Sequence, residues 1–557
     1  MKNLPIGEVL KESGYITEEQ LQKGLAAQKA DRSKKLGQHL IDLGFVTEEQ
    51  TLQALSSKLN VPVVKLETYQ VDVEAVGKIP QELAEKYHMI GVSIKDTNTL
   101  VVATDDPLNF YGLEDIRLVT SMNIEVVLST KDEVYEAIGY YYSEVNSKEA
   151  AENANQDAEA YILTDEELFN SEEDDTPVVK LLNSLLVKGY KSNASDIHIE
   201  PFENETLVRM RIDGMLLDTM KLQKNIHAPL VVRTKIMANM DISERRVPQD
   251  GHVMVTVDDV RMNLRVSVVP TVHGEKIVLR YLNSNAPIDH ANHFGMEDED
   301  YNKMVKMMNM PNGIIYVTGP TGSGKTTTLY MVMRKLANKN VNIITVEDPV
   351  EEDLDRINQM QVNNQAGLTF ETGLRAILRQ DPDIIMVGET RDAETASISV
   401  RAAITGHLVV STLHTNDAIS TIVRLEDMGV EPYLVANSLV GVVAQRLVKK
   451  VCPYCGQKVE ATEEDQRVAR KKIKYVAKAK GCHMCNNTGY KGRIAVHEII
   501  NVDKQLKQMI NDGKSMDEMK TYIRETQNFK SLFDETLRLV EEGQTTIEEL
   551  VRIAYYD

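Results

Sequence analysis

The sequence predicts an α/β protein built around a phosphate-binding loop, with a mainly helical region ahead of the loop and a four-cysteine module behind it. Three observations carry that expectation. Residues Gly319-Pro-Thr-Gly-Ser-Gly-Lys-Thr326 fill every fixed position of G-x-x-x-x-G-K-[ST], between an apolar run (313–318) and a segment with apolar residues at helical spacing (327–337). Residues 6–20 and 36–50 repeat one pattern at a 30-residue offset. All four cysteines fall in two C-x2-C pairs separated by 26 residues.

Composition bounds the rest. A chain of 557 residues exceeds what one core ordinarily holds, so three or four domains are expected. Its 42% hydrophobic and 26% charged residues are ordinary for a globular protein and exclude disorder throughout. No apolar run approaches the ~20 residues of a membrane span, and the first residues lack the apolar core of a signal peptide, so a cytosolic protein is expected. A net charge of −21 argues against nucleic acid as a main partner.

In the N-terminal repeat, Ile6-Gly-Glu-Val-Leu-Lys-Glu-Ser-Gly14-Tyr-Ile-Thr-Glu-Glu-Gln20 aligns with Leu36-Gly-Gln-His-Leu-Ile-Asp-Leu-Gly44-Phe-Val-Thr-Glu-Glu-Gln50. Each copy reads as a short helix stopped by Gly, a Thr cap, and a second helix. A helical N-terminal domain over 1–142 follows. Residues 143–176 carry twelve Asp or Glu against one Lys, with few apolar residues, and read as a solvated tether. Beyond it, 178–191 has the pattern of an amphipathic helix, and 194–201, 206–212, 251–257 and 260–269 alternate as strands, with Arg211-Ile-Asp-Gly214 as a hairpin turn. These form a second region, 177–285.

The third region spans 286–557. In the loop formed by Gly319, Pro320, Thr321, Gly322, Ser323, Gly324, Lys325, Thr326 and Thr327, the glycines let backbone N–H groups curl round phosphate oxygens. Lys325 reaches the β- and γ-phosphates, and the Thr326 hydroxyl can ligate Mg2+. The buried-strand run 342–346 ends in Glu347-Asp-Pro-Val-Glu351, where a carboxylate can orient or deprotonate water. Arg379-Gln-Asp-Pro-Asp-Ile-Ile-Met-Val-Gly-Glu389 reads as a second nucleotide strand, ending in Glu where most such enzymes carry Asp. His407 and His414 flank another apolar run. Cys452, Cys455, Cys482 and Cys485 offer four thiolates on two tight turns, the set that tetrahedral Zn2+ wants, within a module over 450–493.

These blocks together resemble the ATPase family of type IV pilus assembly and type II secretion. The N-terminal repeat resembles that family's N-terminal domain. Ser195-Asp-Ile-His-Ile-Glu, Arg211-Ile-Asp-Gly, Ile242–Gly251 and Arg265–Thr271 are similar to the small subdomain before the motor. The resemblance implies a RecA-like ATPase domain preceded by a PAS-like subdomain, with ATP, Mg2+ and Zn2+ as ligands. It implies ATP bound between two subdomains of a homohexamer, and arginines, at matching positions Arg265 and Arg280, reaching the nucleotide. It makes Glu351 the expected base with Glu347 its rival, places Glu389 near Mg2+, and makes His414 a γ-phosphate contact or sensor. The partner it implies is a polytopic membrane platform protein of a pilus or secretion machine, with peripheral membrane association through it. Some members bind cyclic di-GMP through paired motifs; the matching positions are Ile6, Gly7, Gly14, Lys35, Leu36, Gly37 and Gly44, with Pro5 where a basic residue is usual in the first copy. Packing of the hairpins explains the same glycines and leucines. The competing class is a docking scaffold that binds ATP without turnover; intact Lys325, Glu351 and Glu389 speak against it.

Overall fold

The computed structural model describes residues 5–31, 34–96, 98–157, 176–257, 260–282, 296–337 and 340–554. The chain divides into two compact units, Met1–Asn285 and Ala286–Asp557.

The first unit opens with four helices, Ile6–Glu12, Glu18–Ala30, Leu36–Asp42 and Glu48–Leu59, so each repeat is the helical hairpin its sequence predicts. Thr17 and Thr47 both start a full capping box, and the partner is the Gln three residues on, Gln20 or Gln50. The hairpins pack on one another through Val9, Leu10, Leu21, Leu36 and Leu40. A three-stranded sheet follows, β1 (Met89–Asp96), β2 (Thr99–Thr104) and β3 (Asn123–Leu128), in order β1-β2-β3 with β2 and β3 parallel. The N-terminal region is therefore helical with an added small sheet, whose short continuous apolar runs carry no period that separates strand from helix.

The tether expected over 143–176 is corrected at its start. Residues 131–157 form one helix, Lys131–Asp157, and residues 158–175 lie outside the described residues. The physical reason is a packed face: Ala151 and Ala154 are buried in the next domain's core and Ser147 Oγ donates to the Ser184 carbonyl, 3.4 Å. Glu144, Glu149 and Glu152 occupy the other faces of the helix, which charge counting alone does not tell from a tether. The helix it packs against, Pro177–Lys191, starts with Thr176 accepting from the Val179 N–H and buries Leu181, Leu182, Leu185 and Leu186. Each such leucine stabilises the fold by about 1.5–3 kcal/mol.

That helix covers a six-stranded sheet of β4 (Ala194–Pro201), β5 (Glu205–Ile212), β6 (Met215–Gln223), β7 (Gln249–Val257), β8 (Val260–Thr271) and β9 (Gly274–Tyr281), ordered β6-β5-β4-β9-β8-β7 and antiparallel throughout. Asp213 and Gly214, both at positive φ, make the tight turn between β5 and β6.

The second unit carries a seven-stranded sheet. Its strands are β10 (Gly313–Thr318), β11 (Ile343–Glu347), β12 (Asn358–Gln361), β13 (Ile384–Val387), β14 (Leu408–Leu413), β15 (Leu439–Val451) and, after β16 (Gln457–Glu460) and β17 (Tyr475–Lys478), β18 (Tyr490–Asn501). The order is β12-β11-β13-β14-β10-β15-β18, parallel except for β18. Alternate residues of β10 feed opposite cores: Ile314 and Tyr316 on one face, Ile315 and Val317 on the other. Because the strands are parallel, the loops leaving β10, β11, β13 and β14 emerge at one edge, where open α/β sheets bind ligands.

Candidate active site and tetracysteine centre

The phosphate loop leaves β10 and enters the helix Lys325–Leu336. Two of its glycines are required by contact as well as by backbone. Gly319 has φ +147°, and a Cβ there would lie 2.4 Å from the Gln445 carbonyl oxygen; Gly324 has φ +86°, and a Cβ would lie 2.8 Å from Gln445 Nε2. Lys325 Nζ donates to the carbonyls of Gly319 and Pro320, 2.8 and 3.0 Å, so the amine lies along the loop itself. Burial draws its pKa down from 10.5 to about 8, against the attraction of Glu389 and with the repulsion of Arg446. Thr321, Gly322, Thr326 and Thr327 are exposed at the loop, while Ser323 is buried.

The strand ends bring the other sequence-predicted residues to the same edge. Glu389 follows β13 and Gly388, at which a Cβ would come within 3.3 Å of Glu347 Cα. Its carboxylate pairs with Arg391 at 2.5 Å. His414 follows β14; burial first, then Lys325, holds it below the usual histidine range, with Glu389 opposing, so it is neutral at neutral pH. Lys325, Glu389, His414 and Arg446 thus share one electrostatic neighbourhood. His407, at the other end of β14, is placed apart from them, its Nδ1 2.9 Å from the Ala402 carbonyl oxygen.

The two rival glutamates separate. Glu347 is buried at 3% exposure; it accepts from Tyr330 Oη at 2.5 Å, Thr345 Oγ1 at 2.6 Å and Gln359 Nε2 at 3.0 Å. Glu351 is half-buried four residues on, with its backbone N–H donating to Tyr330 Oη, 3.0 Å. One tyrosine on the phosphate-loop helix therefore ties both residues, and burial beside the Glu347 carboxylate pushes its phenol pKa up.

The sequence reading missed Tyr330, Gln445 and Arg446. Gln445 and Arg446 are 2% and 7% exposed on β15. A Gln-Arg pair inside the otherwise apolar run Leu439-Val-Gly-Val-Val-Ala444 and Leu447-Val448 is the signal that could have found them, because buried polar groups in a strand need partners. Arg446 Nη2 donates to Asn416 Oδ1, 3.2 Å.

In the first unit, Arg265 is exposed on β8 and stands opposite both His252 and Arg280 in register. Arg280 Nε pairs with the buried Asp196 at 2.7 Å. Among the cyclic di-GMP positions, Gly7 is buried and a Cβ there would lie 2.4 Å from Leu21 Cδ1; the same test at Gly37 gives 3.0 Å to Thr51 Cγ2. Gly14 and Gly44 end their helices at positive φ, Ile6 and Leu36 contribute to the hairpin core, and Lys35 Nζ pairs with Asp106 at 2.5 Å.

The four cysteines converge. Their sulfurs lie within 4.8 Å of one another, with Cys452–Cys482 at 3.9 Å, Cys455–Cys485 at 3.8 Å and Cys482–Cys485 at 3.7 Å. A tetrahedron of sulfurs about 2.3 Å from a central Zn2+ has edges of about 3.8 Å, whereas a disulfide needs about 2.05 Å, so the donor set fits the metal. Burial and the neighbouring sulfurs of Cys485 and Cys455 push the Cys482 thiol up to about 12. Burial acts in the same sense on Cys485, yet N–H groups of Cys482 and Gly489, 3.2 and 3.1 Å from its sulfur, hold it below the ordinary thiol value. The module is an excursion from the β15–β18 ribbon, whose last pair is Val451 with Tyr490. Ala469, Ile473 and Val476 seat it on Phe533, Leu537 and Val540 of the helix Leu532–Glu541.

Among the described residues no helix is long and apolar enough to cross a membrane. Residues 171–552 match the type II/IV secretion system protein family, and residues 59–147 match the MshEN domain. The chain is 40% identical to the type IV pilus assembly ATPase PilB of Myxococcus xanthus over 98% of each chain. It is 39% identical to the type II secretion system ATPase E of Vibrio cholerae over 86% of this chain and 97% of that one. The X-ray structure of the ATPase DotB of Legionella pneumophila aligns with a TM-score of 0.51 at 23% identity, over 68% of this chain and 95% of DotB, which shows the fold alone. The phosphate loop, the strand-end carboxylates and the tetracysteine module thus stand in a P-loop ATPase that belongs to the type II/IV secretion system protein family, in its pilus-assembly and type II secretion branch.

Proposed function

We propose that the chain is the ATP-hydrolysing motor of type IV pilus assembly, acting as a homohexamer on a polytopic membrane platform protein. The observation that carries the hydrolytic part is the gathering of Lys325, Glu389 and His414 at one end of a parallel sheet, around a loop shaped for phosphate. Loop N–H groups and Lys325 hold the β- and γ-phosphates. Glu351 orients the attacking water and accepts its proton; the three bonds already made by Glu347 support giving that role to Glu351. Neutral His414 donates to the γ-phosphate. The Thr326 hydroxyl and Glu389 would hold Mg2+, which would supply neutralisation of phosphate charge. Cys452, Cys455, Cys482 and Cys485 would hold Zn2+ with all four positions taken by thiolates, so that it would cross-link the module without a part in the chemistry.

The pilus reading rests on a likeness to the assembly ATPase that runs through the N-terminal hairpins as well as the motor, whereas the type II relative covers less of this chain. Deleting the gene should abolish surface filaments and leave the secreted-protein profile intact; the converse pattern assigns the chain to type II secretion. For the hairpins we infer a cyclic di-GMP site on the duplicated motif, supported by the matching motif positions and by the adjoining MshEN domain. Calorimetry on the full chain should show binding that is lost in Gly37→Asp; no heat at high micromolar ligand removes the reading.

A further inference from the structure

Gln445 is a buried glutamine whose side chain bonds both the phosphate loop and the helix that leaves it. Its Nε2 donates to the Ser323 carbonyl, 2.8 Å, and its Oε1 accepts from the Thr328 hydroxyl, 2.7 Å. Ser323 belongs to the loop, and Thr328 lies one turn into the helix that leaves it. The two bonds have opposite polarity, and the amide meets both; a carboxylate would set an acceptor against the Ser323 carbonyl oxygen, and an aliphatic side chain would leave two buried groups unpartnered.

The consequence follows from peptide geometry. In a trans peptide the carbonyl of one residue and the N–H of the next point in opposite directions. Holding the Ser323 carbonyl toward β15 therefore turns the Gly324 N–H away from β15. Gly324 is at the start of the phosphate-loop helix, where the orphan N–H groups and the helix dipole favour an anion. The helix bond from Thr328 N–H to the Gly324 carbonyl, 3.1 Å, fixes the other side of that residue. The missing Cβ at Gly324 is what lets the amide approach, since a Cβ would meet Nε2 at 2.8 Å.

We propose that Gln445 is the positioning residue of the phosphate loop: its amide clamps the Ser323–Gly324 peptide in the orientation that presents the Gly324 N–H to the nucleotide phosphates. The inference rests on the phosphate-loop reading of residues 319–326. It also gives β15 a second role, since the strand that holds the loop runs on, with β18, into the tetracysteine module.

The test uses the full chain with MgADP as probe. Gln445→Leu, Gln445→Glu, Thr328→Val and Lys325→Ala are measured at a temperature where each is folded. Gln445→Leu and Gln445→Glu should each weaken MgADP about tenfold and raise KM for ATP by the same factor, with kcat within about twofold, because the misaligned N–H contacts phosphate equally in the ground and transition states. Gln445→Glu can still accept from Thr328, so its loss isolates the bond to Ser323. Thr328→Val should weaken MgADP severalfold, and combining it with Gln445→Leu should add nothing further. A residue serving the fold alone would lower Tm and leave the affinity of the folded variants unchanged. Wild-type affinity within twofold in a folded Gln445 variant, beside lost binding in Lys325→Ala, overturns the proposal and leaves the loop reading standing. Retained binding in Lys325→Ala as well overturns both. Should neither Gln445 variant fold, Thr328→Val decides alone, and unchanged affinity there sinks the clamp.

Discussion

Lys325 lies in a site where burial outweighs the attraction of Glu389, which leaves its ammonium near the end of its charged range at about pH 8. Nucleotide phosphates favour the charged form, so the complex keeps a proton that the unliganded protein gives up above that pH. Binding at about pH 8.5 should therefore take up a proton, and affinity should be flat below about pH 8 and fall by up to about tenfold per unit above it. Calorimetry in buffers of different ionisation enthalpy checks this; a heat independent of buffer at that pH contradicts it. The two glutamates after β11 give a second prediction at this scale. Glu351→Gln should keep nucleotide affinity and lose at least about 10²-fold in kcat. Glu347→Gln should instead lower Tm, because it disturbs a buried three-bond network worth about 1–3 kcal/mol for each group left unsatisfied. A Glu347→Gln protein that melts like the wild type and fails to turn over would hand the base role to Glu347. The motif alone could not rank the pair: both stand at a strand end, and the Tyr330 and Gln359 side chains that bond the Glu347 carboxylate come from other elements.

At the scale of elements, the most legible pieces were those whose signal is local. The strand, loop and helix around 313–336, the hairpins with their threonine caps, and the β5–β6 turn all follow from patterns within a dozen residues. The helix Lys131–Asp157 was not legible over residues 143–157, because what folds its end is burial of Ala151 and Ala154 against a distant core. The β15–β18 ribbon was similarly hidden, since its strands are separated by the whole tetracysteine module. That module carries its own prediction. One Zn2+ should copurify per chain, and Cys452→Ser with Cys455→Ser should release the metal and raise amide exchange across β16 and β17, since metal binding is folding energy in such knuckles. Protein prepared without chelator and found free of zinc by elemental analysis would refute it. The same loss should reach β15 more weakly, because the Lys449 N–H and the Thr545 hydroxyl tie that strand to the Ile547–Ala554 helix and its approach: Lys449 N donates to Glu549 Oε2 at 2.9 Å, and Thr545 Oγ1 donates to the Lys449 carbonyl at 2.7 Å.

In the molecule as a whole, the first unit joins paired helical hairpins, a small sheet and an antiparallel sheet, and the second is a nucleotide sheet extended into a tetracysteine module. Four of these parts were readable because each announces itself by a different pattern, namely a repeat, strand alternation, a glycine loop and paired cysteines, whereas the small sheet has no such signal. What they do together rests on hydrolysis at the edge shared by β10, β11, β13 and β14. Steady-state ATP turnover by the purified full chain tests that claim most directly, measured for the wild type beside Lys325→Ala and Glu351→Gln. Turnover in the wild type should be lost in both variants while Glu351→Gln still binds nucleotide; the same background rate in all three proteins would contradict hydrolysis at that edge.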